Sequence, residues 1–527
     1  MDIIIDNIIV SPDCPIDEVF AAAAKKAGVS PEAVKSKKII RRSVDARKSD
    51  VRINYCVLLS LLLTKKIKLG SSFKEAPKEQ QIDFPACELP YRPYIVGTGP
   101  AGLFAGYYLA KCGARPILLE RGAKVHARRK AVETFEKSGV LNPDCNVQFG
   151  EGGAGTFSDG KLTTRIGDKL CGAVLDIFHR HGAPDDILYL AKPHIGTDVL
   201  TGVIASMRAE IERLGGEVHF GSRLEDIGIK NGCVERITVN GVEHDCSCLI
   251  LAIGHSARDT YEMLIKKGVC ITAKPFAVGV RIEHKQQFIN DAQYGKFSGH
   301  PMLGAADYRL TYNGNSRSCF SFCMCPGGTV VAAASEQGGV AVNGMSRHAR
   351  DGVNANSALV VSVNTNDFSG VLGGIEFQRK YERAAYSLGL KGGNFYAPIQ
   401  QTVDFLEGKV FEKNSHTEPS YPIGTVFADL SLCLPQFVTD TLADGIRSFD
   451  SKIKGFAKNS VLTGVETRTS APVRLQRSDK MESVNVKGLF PIGEGAGYAG
   501  GIMSSAVDGL KAGIALTEHG ENNGKGE

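Results

Sequence analysis

An α/β fold is predicted for this 527-residue chain: a dinucleotide-binding unit split along the sequence, an α+β insertion, and a small N-terminal β-α-β-β unit. Three observations predict it. Residues 94–120, YIVGTGPAGLFAGYYLAKCGARPILLE, read as strand, glycine turn, helix and strand. Residues 248–255, CLILAIGH, read as a buried strand ending in glycine, after a helix and a meander. Residues 486–506, VKGLFPIGEGAGYAGGIMSSA, add a further apolar strand, a glycine loop and a helix. Strands alternating with helical segments are the signature of a parallel sheet.

Length implies two or three domains. An apolar content of 43% and a charged content of 23% are those of a soluble globular protein. The N-terminus, MDIIIDNIIV, lacks the basic start and long apolar stretch of a signal peptide. The longest apolar run, residues 56–63, falls far short of the roughly 20 residues that span a bilayer, so no transmembrane segment is expected. Fourteen scattered cysteines without framework or zinc-site spacing predict reduced thiols, a cytoplasmic protein and no metal.

Taken in order, residues 2–10 form an apolar, β-branched run. Asp13, Pro15 and Asp17 lead into the helical stretch IDEVFAAAAKKAG, which Gly28 stops. Strand-like runs at 37–45 and 51–62 flank the polar turn 46–50. Residues 1–70 carry 13 Lys/Arg against 8 Asp/Glu, a net of +5 that equals the formal charge of the whole chain. Such a surface suits an acidic partner, but the few aromatics and the lack of an RNA-binding signature disfavour nucleic acid. Residues 71–92 read as a linker.

The glycines of 94–120 carry chemistry. Gly97 permits the tight turn, Gly99 lets a pyrophosphate approach, and Gly102 allows close strand–helix packing, the G-x-G-x-x-G spacing of a Rossmann unit. Pro100 and Ala101 open a helix whose N-terminus offers free N–H groups to phosphate. Glu120, eighteen residues beyond Gly102 and followed by Arg121, would accept ribose hydroxyls and repel a 2′-phosphate. The site therefore reads as FAD or NAD, not NADP.

Leu200, Val203, Ile204, Met207, Ile211 and Leu214 recur at helical spacing, and Gly215-Gly216 ends that helix. Asn231-Gly232 and Asn240-Gly241 are hairpin turns leading to CLILAIGH, whose Ala252 and Gly254 are candidate cofactor contacts. A third glycine loop, 149–162 (FGEGGAGTFSDGKL), adds Gly152, Gly153 and Gly155, with Lys161 able to meet phosphate or substrate. Between 257 and 460, residues 318–325 read as a strand and Pro326-Gly327-Gly328 turns into a second, TVVAAAS. Residues 354–366 and 419–425 look loop-rich, and no internal repeat is found.

The choice of FAD comes from 486–506. Its apolar strand, Gly493-Glu494 and a helix beginning near Gly501 and Ile502 look like the closing segment of glutathione-reductase-type flavoproteins, which aims a helix N-terminus at the flavin ring. YIVGTGPAGLFAGYYLA, FGEGGAGTFSDGKLTTRI, LAIGHSA, FCMCPGG with the later NGMS, GVETRTSAPVR and GEGAGYAGGIMSSAVDG together resemble a family of bacterial FAD-dependent dehydrogenases within that FAD/NAD(P)-binding superfamily. The likeness spans about residues 90–515, and the small basic N-terminal unit fits the family's layout. It implies FAD as cofactor and leaves the substrate open.

What is missing also informs. No second strand-linked G-x-G-x-x-G occurs, and residues 121–166 contain only Cys145, so a two-domain pyridine nucleotide–disulfide reductase is not expected. Cys323 and Cys325, at i and i+2 of a strand, should share a face with Cys319 and Ser321, opposite Phe320, Phe322 and Met324. That face reads as packing more readily than as a redox pair, and so do Cys246 and Cys248. His255 reads as a loop histidine. Arg468 and Arg474 could grip a substrate carboxylate or phosphate, or could pair with nearby acids.

The expected architecture is an N-terminal unit (1–70), a linker (71–92), a discontinuous Rossmann-type FAD-binding domain (93–256 and 461–520) and an inserted α+β substrate domain (257–460). The expected function is a FAD-dependent oxidoreductase passing hydride between flavin N5 and a small organic substrate. NAD(P)H or an electron-carrier protein would be a transient partner. Alternatives are a flavin-dependent C=C reductase and an RNA-associated flavoprotein of tRNA-modifying type. No catalytic residue is singled out.

Overall fold

The computed structural model describes residues 1–47, 50–62, 73–77, 82–411 and 417–523, with side chains to 518. Strand Asp2–Val10 is followed by helix Ile16–Ala27, which ends at Gly28 in the left-handed region (φ 68°). Strands Val34–Asp45 and Arg52–Leu61 then complete an antiparallel sheet, with Arg52–Leu61 central. Burial alternates along Arg52–Leu61, so one face of the sheet covers a core containing Ile3, Ile5, Val19 and Val57. Lys74–Glu75 adds a short edge strand against Ile3 and Ile4, inside the expected linker. The other linker residues 71–72 and 78–81 lie outside the described residues.

Several basic residues of this unit are paired with its own acids, Lys37 with Asp17 at 2.7 Å and Arg52 with Asp50 at 2.5 Å. Lys48, Lys65, Lys66 and Lys68 lie outside the described residues. Arg42 exchanges backbone hydrogen bonds with Tyr189 and Ala191, which docks the unit onto the rest of the chain.

Five parallel strands form the Rossmann-type sheet in the order Leu489–Pro491, Leu249–Leu251, Tyr94–Val96, Ile117–Glu120, Glu217–Phe220. Helix Pro100–Lys111 is buried on every side from Ala101 to Ala110, because the sheet covers one face and helix Ile502–Asn523 another. Small residues permit that approach: a Cβ on Gly509 would lie 2.2 Å from the Ala101 carbonyl oxygen. Both Asn-Gly pairs make tight turns in the meander Leu224–Lys230, Cys233–Val239, Val242–Asp245, with positive φ at Asn231, Gly232, Asn240 and Gly241.

A seven-stranded mixed sheet forms the inserted part, in the order Thr311–Asn313, Ser318–Cys325, Asn354–Val363, Phe276–Lys285, Ser460–Glu466, Ala397–Gln401, Thr425–Phe427. Two expectations are corrected here. Residues 354–363 are not loop but a buried central strand, since Asn354 and Ser357 find internal hydrogen-bond partners that let polar residues enter a core strand. Residues 461–466, expected in the FAD-binding part, belong instead to strand Ser460–Glu466, which pairs with Phe276–Lys285 and Ala397–Gln401, so the chain leaves the insertion only after Glu466. Among the described residues no helix is long and apolar enough to cross a membrane. Among the described residues no two cysteines form a disulfide.

Candidate functional site

A cavity of about 380 Å³ lies where the C-terminal ends of the parallel strands meet the inserted sheet, the usual ligand position of open α/β sheets. One end is walled by Gly97, Gly99, Pro100, Ala101, Glu120 and Arg121, with Ala252 and Gly254 opposite; Gly153, Gly155, Gly501 and Ile502 continue the wall. Helix Pro100–Lys111 starts on this wall with no side chain capping it, which leaves its first N–H groups free.

Glycine is required here for different reasons. A Cβ on Gly97 would lie 2.3 Å from the Ala252 carbonyl oxygen, and its φ of +99° also excludes other residues. A Cβ on Gly102 would meet the Gly97 carbonyl oxygen at 1.9 Å, so Gly102 lies behind the wall and serves strand–helix packing. At Gly99 the nearest atom is the Gly153 Cα at 3.7 Å, and around Gly500 and Gly501 nothing lies within 4 Å. Gly99 thus faces space that a ligand can fill. Gly152 packs on Thr156 and Ile204, and Gly493 on the Ala101 methyl, so neither lies on the main wall.

Glu120, expected to hold a ribose, borders the cavity and is also bonded within its own chain. Its carboxylate accepts from the Thr98 N–H (3.0 Å) and hydroxyl (2.8 Å), and from the N–H groups of Gly122 (3.0 Å) and Gly150 (2.9 Å). Those four bonds match the roughly four lone-pair directions of a carboxylate. Glu120 therefore ties three turns together, and its negative charge still borders the cavity. Arg121 binds Asp259 at 2.8 Å and stacks on Phe149, with 4.3 Å from guanidinium to ring centroid.

Sequence reading missed Arg128, which resembles a solvated residue in the polar helix Val125–Ser138. It is fully buried and donates to the carbonyls of Asn146, Val147, Gly150, Glu151 and Gly153 at 2.7–3.2 Å. Burial draws its pKa down to about 10, with Glu120 opposing. One guanidinium thus gathers the carbonyls of the glycine loop.

The other end of the cavity is polar and lies under the inserted sheet. Phe322, Cys323, Asn343, Glu466 and Lys161 line it, and Glu494 also lines the cavity. Lys161 donates to the Met324 carbonyl and lies 3.3 Å from Asp159 and 4.0 Å from Cys325 Sγ. Burial alone would raise Asp159, but Lys161 and Arg350 hold it well below the usual carboxylate range. Burial pushes Glu466 up to about 7 although Arg281 lies 3.1 Å away. Glu494 is likewise raised to about 7 by burial, with Lys274 opposing. His255 lines the cavity as a neutral imidazole, since burial and then Arg468 and Arg258 depress it to about 3. Its Nδ1 lies 2.9 Å from the Ser256 hydroxyl.

The two candidate substrate arginines lie in different surroundings. Arg468 lines the cavity and is held by Glu382 at 2.9 and 3.0 Å and by the hydroxyls of Ser256 and Ser335, the expected alternative of pairing with a nearby acid, with four of its five N–H donors used within the chain. Arg474 is not on the wall. Val473 and Leu475 face the core, and strand alternation turns Arg474 onto Tyr498, 5.0 Å from its centroid. The expected cysteine face also fails. Cys323 has φ +45° at an irregularity between Phe322 and Cys325, so adjacent Phe322 and Cys323 both reach the wall.

Replacing Glu494 by Gln tests its environment. A carboxyl whose folded pKa is near 7, above the ordinary 4.3, is destabilising as pH rises through that window. Glu494→Gln is therefore expected to gain about 2 kcal/mol over the parent at pH 8, discounted because the group borders a cavity, and much less at pH 5. Denaturant midpoints at both pH values check this, and equal gaps would refute it.

The residues present fit FAD. The glycine cradle with an uncapped helix end suits a pyrophosphate, Ala252 to Gly254 offer an apolar-to-polar wall, and the polar end suits a ring and its substrate.

Residues 275–469 match the family described as FAD-dependent protein, C-terminal domain-like, and residues 2–60 match a domain of unknown function (DUF8436). An uncharacterized protein of Clostridium beijerinckii is 51% identical over 529 residues, covering 98% of this chain and 99% of its own. Among solved structures, the halogenase PltM in complex with phloroglucinol and FAD is similar with a TM-score of 0.40 and 12% identity, over 82% of this chain and 70% of that one. A geranylgeranyl bacteriochlorophyll reductase-like protein from Thermoplasma acidophilum is similar with a TM-score of 0.36 and 13% identity, over 82% and 81% of the two chains. Neither structural likeness bears on substrate or reaction.

Proposed function

Since the chain belongs to one family with the Clostridium beijerinckii protein and carries a FAD-dependent protein segment, we propose that it is a FAD-dependent oxidoreductase exchanging hydride with a small organic substrate. The supporting observation is one continuous cavity that joins a glycine-walled helix N-terminus to a polar pocket under the inserted sheet. FAD, when bound, supplies the hydride chemistry; the protein supplies orientation, exclusion of water and placed charge. Gly97, Gly99, Ala101 and Gly153 would hold its diphosphate half. Gly500, Gly501 and Ile502, at the start of the last helix, would present a positive helix end to charge developing on the ring.

A second reading is favoured by the acids. Saturating a conjugated C=C takes a hydride and a proton, and Glu466 and Glu494, both raised to about 7, retain protons near neutrality.

The purified protein is expected to be yellow and to retain FAD through gel filtration. Under anaerobic conditions its flavin absorbance should bleach with NADH, NADPH or a carrier protein, and recover with the true acceptor. Colourless protein that takes up no added FAD would sink the proposal.

A further inference from the structure

The polar end of the cavity contains a cluster that hydride exchange does not use. Cys323 lines the cavity, and the Cys325 sulfur lies 3.3 Å from the Cys323 carbonyl oxygen. Cys325 is fully buried behind it, with Arg281 Nη2 at 3.6 Å and Lys161 Nζ at 4.0 Å from its sulfur. Arg281 also donates to the Cys323 carbonyl at 2.8 Å, which fixes the turn between the two thiols. That turn is the strand irregularity at which Cys323 takes its positive φ. In a regular strand, residues i and i+2 have Cα atoms about 6.7 Å apart, near the outer limit of about 6.8 Å for a disulfide. A bulge shortens that span.

We infer that Cys323 and Cys325 form a redox pair that exchanges with a disulfide entering the cavity, cycling between dithiol and intramolecular disulfide. The adjacent Cys323 thiol, with Lys161 and Arg281, draws Cys325 down to about 6 against burial, while Cys323 is raised, so negative charge in the pair is favoured on Cys325. Cys325, as a thiolate, acts as base and takes the Cys323 proton. Cys323 then attacks one sulfur of the incoming disulfide, whose S–S bond breaks, and the departing thiolate takes the proton from Cys325. The Cys325 thiolate attacks Cys323 Sγ, expels the second thiolate and closes the Cys323–Cys325 bond. One disulfide is reduced to a thiol and a thiolate, and one dithiol is oxidised. Lys161 and Arg281 lie beside the Cys325 sulfur, so they stabilise the thiolate that acts as base and then resolves the mixed disulfide. The exchange needs no flavin, so this inference and the FAD proposal stand or fall separately.

The test uses the full-length protein as purified, exposed to excess hydroxyethyl disulfide, then denatured and alkylated. Peptide mass mapping of the segment holding Cys319, Cys323 and Cys325 is the readout, and flavin content is measured in parallel. The expected product is two hydrogens lighter, alkylated only at Cys319, and restored to three alkylations by dithiothreitol. Cys325→Ser should instead trap a mixed disulfide on Cys323, and Cys323→Ser should leave Cys325 unmodified. Three alkylated cysteines after exposure, while partly exposed Cys171 has reacted, would overturn the inference. A wild-type adduct on Cys323 that Cys325 never resolves would do the same. The wild-type map decides even if a variant fails to fold.

Discussion

Gly99→Val is expected to purify folded and without flavin. Most glycine replacements in a dinucleotide turn confound loss of ligand with loss of structure, and two neighbours here show why. A side chain at Gly97 or Gly102 would drive its Cβ to 2.3 or 1.9 Å from a backbone carbonyl oxygen, which nothing short of moving strand against helix relieves. Gly99 differs. Its φ of −68° is open to any residue, and its nearest neighbour would be a Cα at 3.7 Å, an ordinary contact. The branched side chain therefore enters the cavity beside the uncapped helix start and occupies space a pyrophosphate needs. Retained FAD should fall at least tenfold, a loss of about 1.4 kcal/mol or more in binding, while the denaturation midpoint of the flavin-free protein stays within about 0.5 kcal/mol of the flavin-free parent. Gly102→Ala is the contrasting arm, losing stability along with any flavin. A Gly99→Val protein that binds FAD like the parent would remove the pyrophosphate from this end of the cavity.

Short-range pattern made the opening stretch legible. Its three glycines, the helix they start and the strand ending at Glu120 lie within one β-α-β unit, where turn chemistry and periodicity act directly on sequence. The same holds for the Asn-Gly hairpins and the helix Thr197–Arg213. Long-range pairing was not legible. Asn354–Val363 is a central strand only because partners from elsewhere satisfy its polar residues, and Ser460–Glu466 belongs to the sheet that captures it rather than to its neighbours in sequence. At the site, the lining glycines could be named, yet the groups that arrange them could not. Arg128 is recognisable only once its five carbonyl partners have converged, and Cys323 departs from strand alternation through a bulge that no local composition announces. Glu120 was found by its spacing, but its partners Gly122 and Gly150 decide what its oxygens do.

Glu382→Ala is expected to be the most destabilising single substitution proposed for this chain. Glu382 sits on helix Gly373–Gly389 of the insertion, yet both its oxygens are bound by arginines from the Rossmann side and the crossing back to it. Arg258, at the start of helix Arg258–Lys266, reaches it at 2.8 and 3.0 Å, and Arg468 at 2.9 and 3.0 Å; Thr467 adds a hydroxyl at 2.7 Å. All three charged residues are at most 5% exposed. Whether such a triad is better than an apolar replacement is a separate question, because removing water from three ions is costly. Removing only the acid is unambiguous: two guanidiniums stay buried, with Glu336 at 2.6 Å from Arg258 as the remaining carboxylate. The expected loss is about 3–5 kcal/mol, read as a lowered denaturant midpoint. The pH dependence follows from the sign of the shift. Burial would raise Glu382, but Arg258 and Arg468 hold it well below its usual value. Its contribution is therefore complete above the unfolded pKa near 4.3 and is lost only as pH falls through the lowered folded value. The gap between parent and Glu382→Ala should be the same at pH 8 and pH 6 and should narrow only in stronger acid. A gap that closes between pH 8 and pH 6 would show that the acid is not held ionised by its two arginines, and that some other group joins the insertion to the sheet.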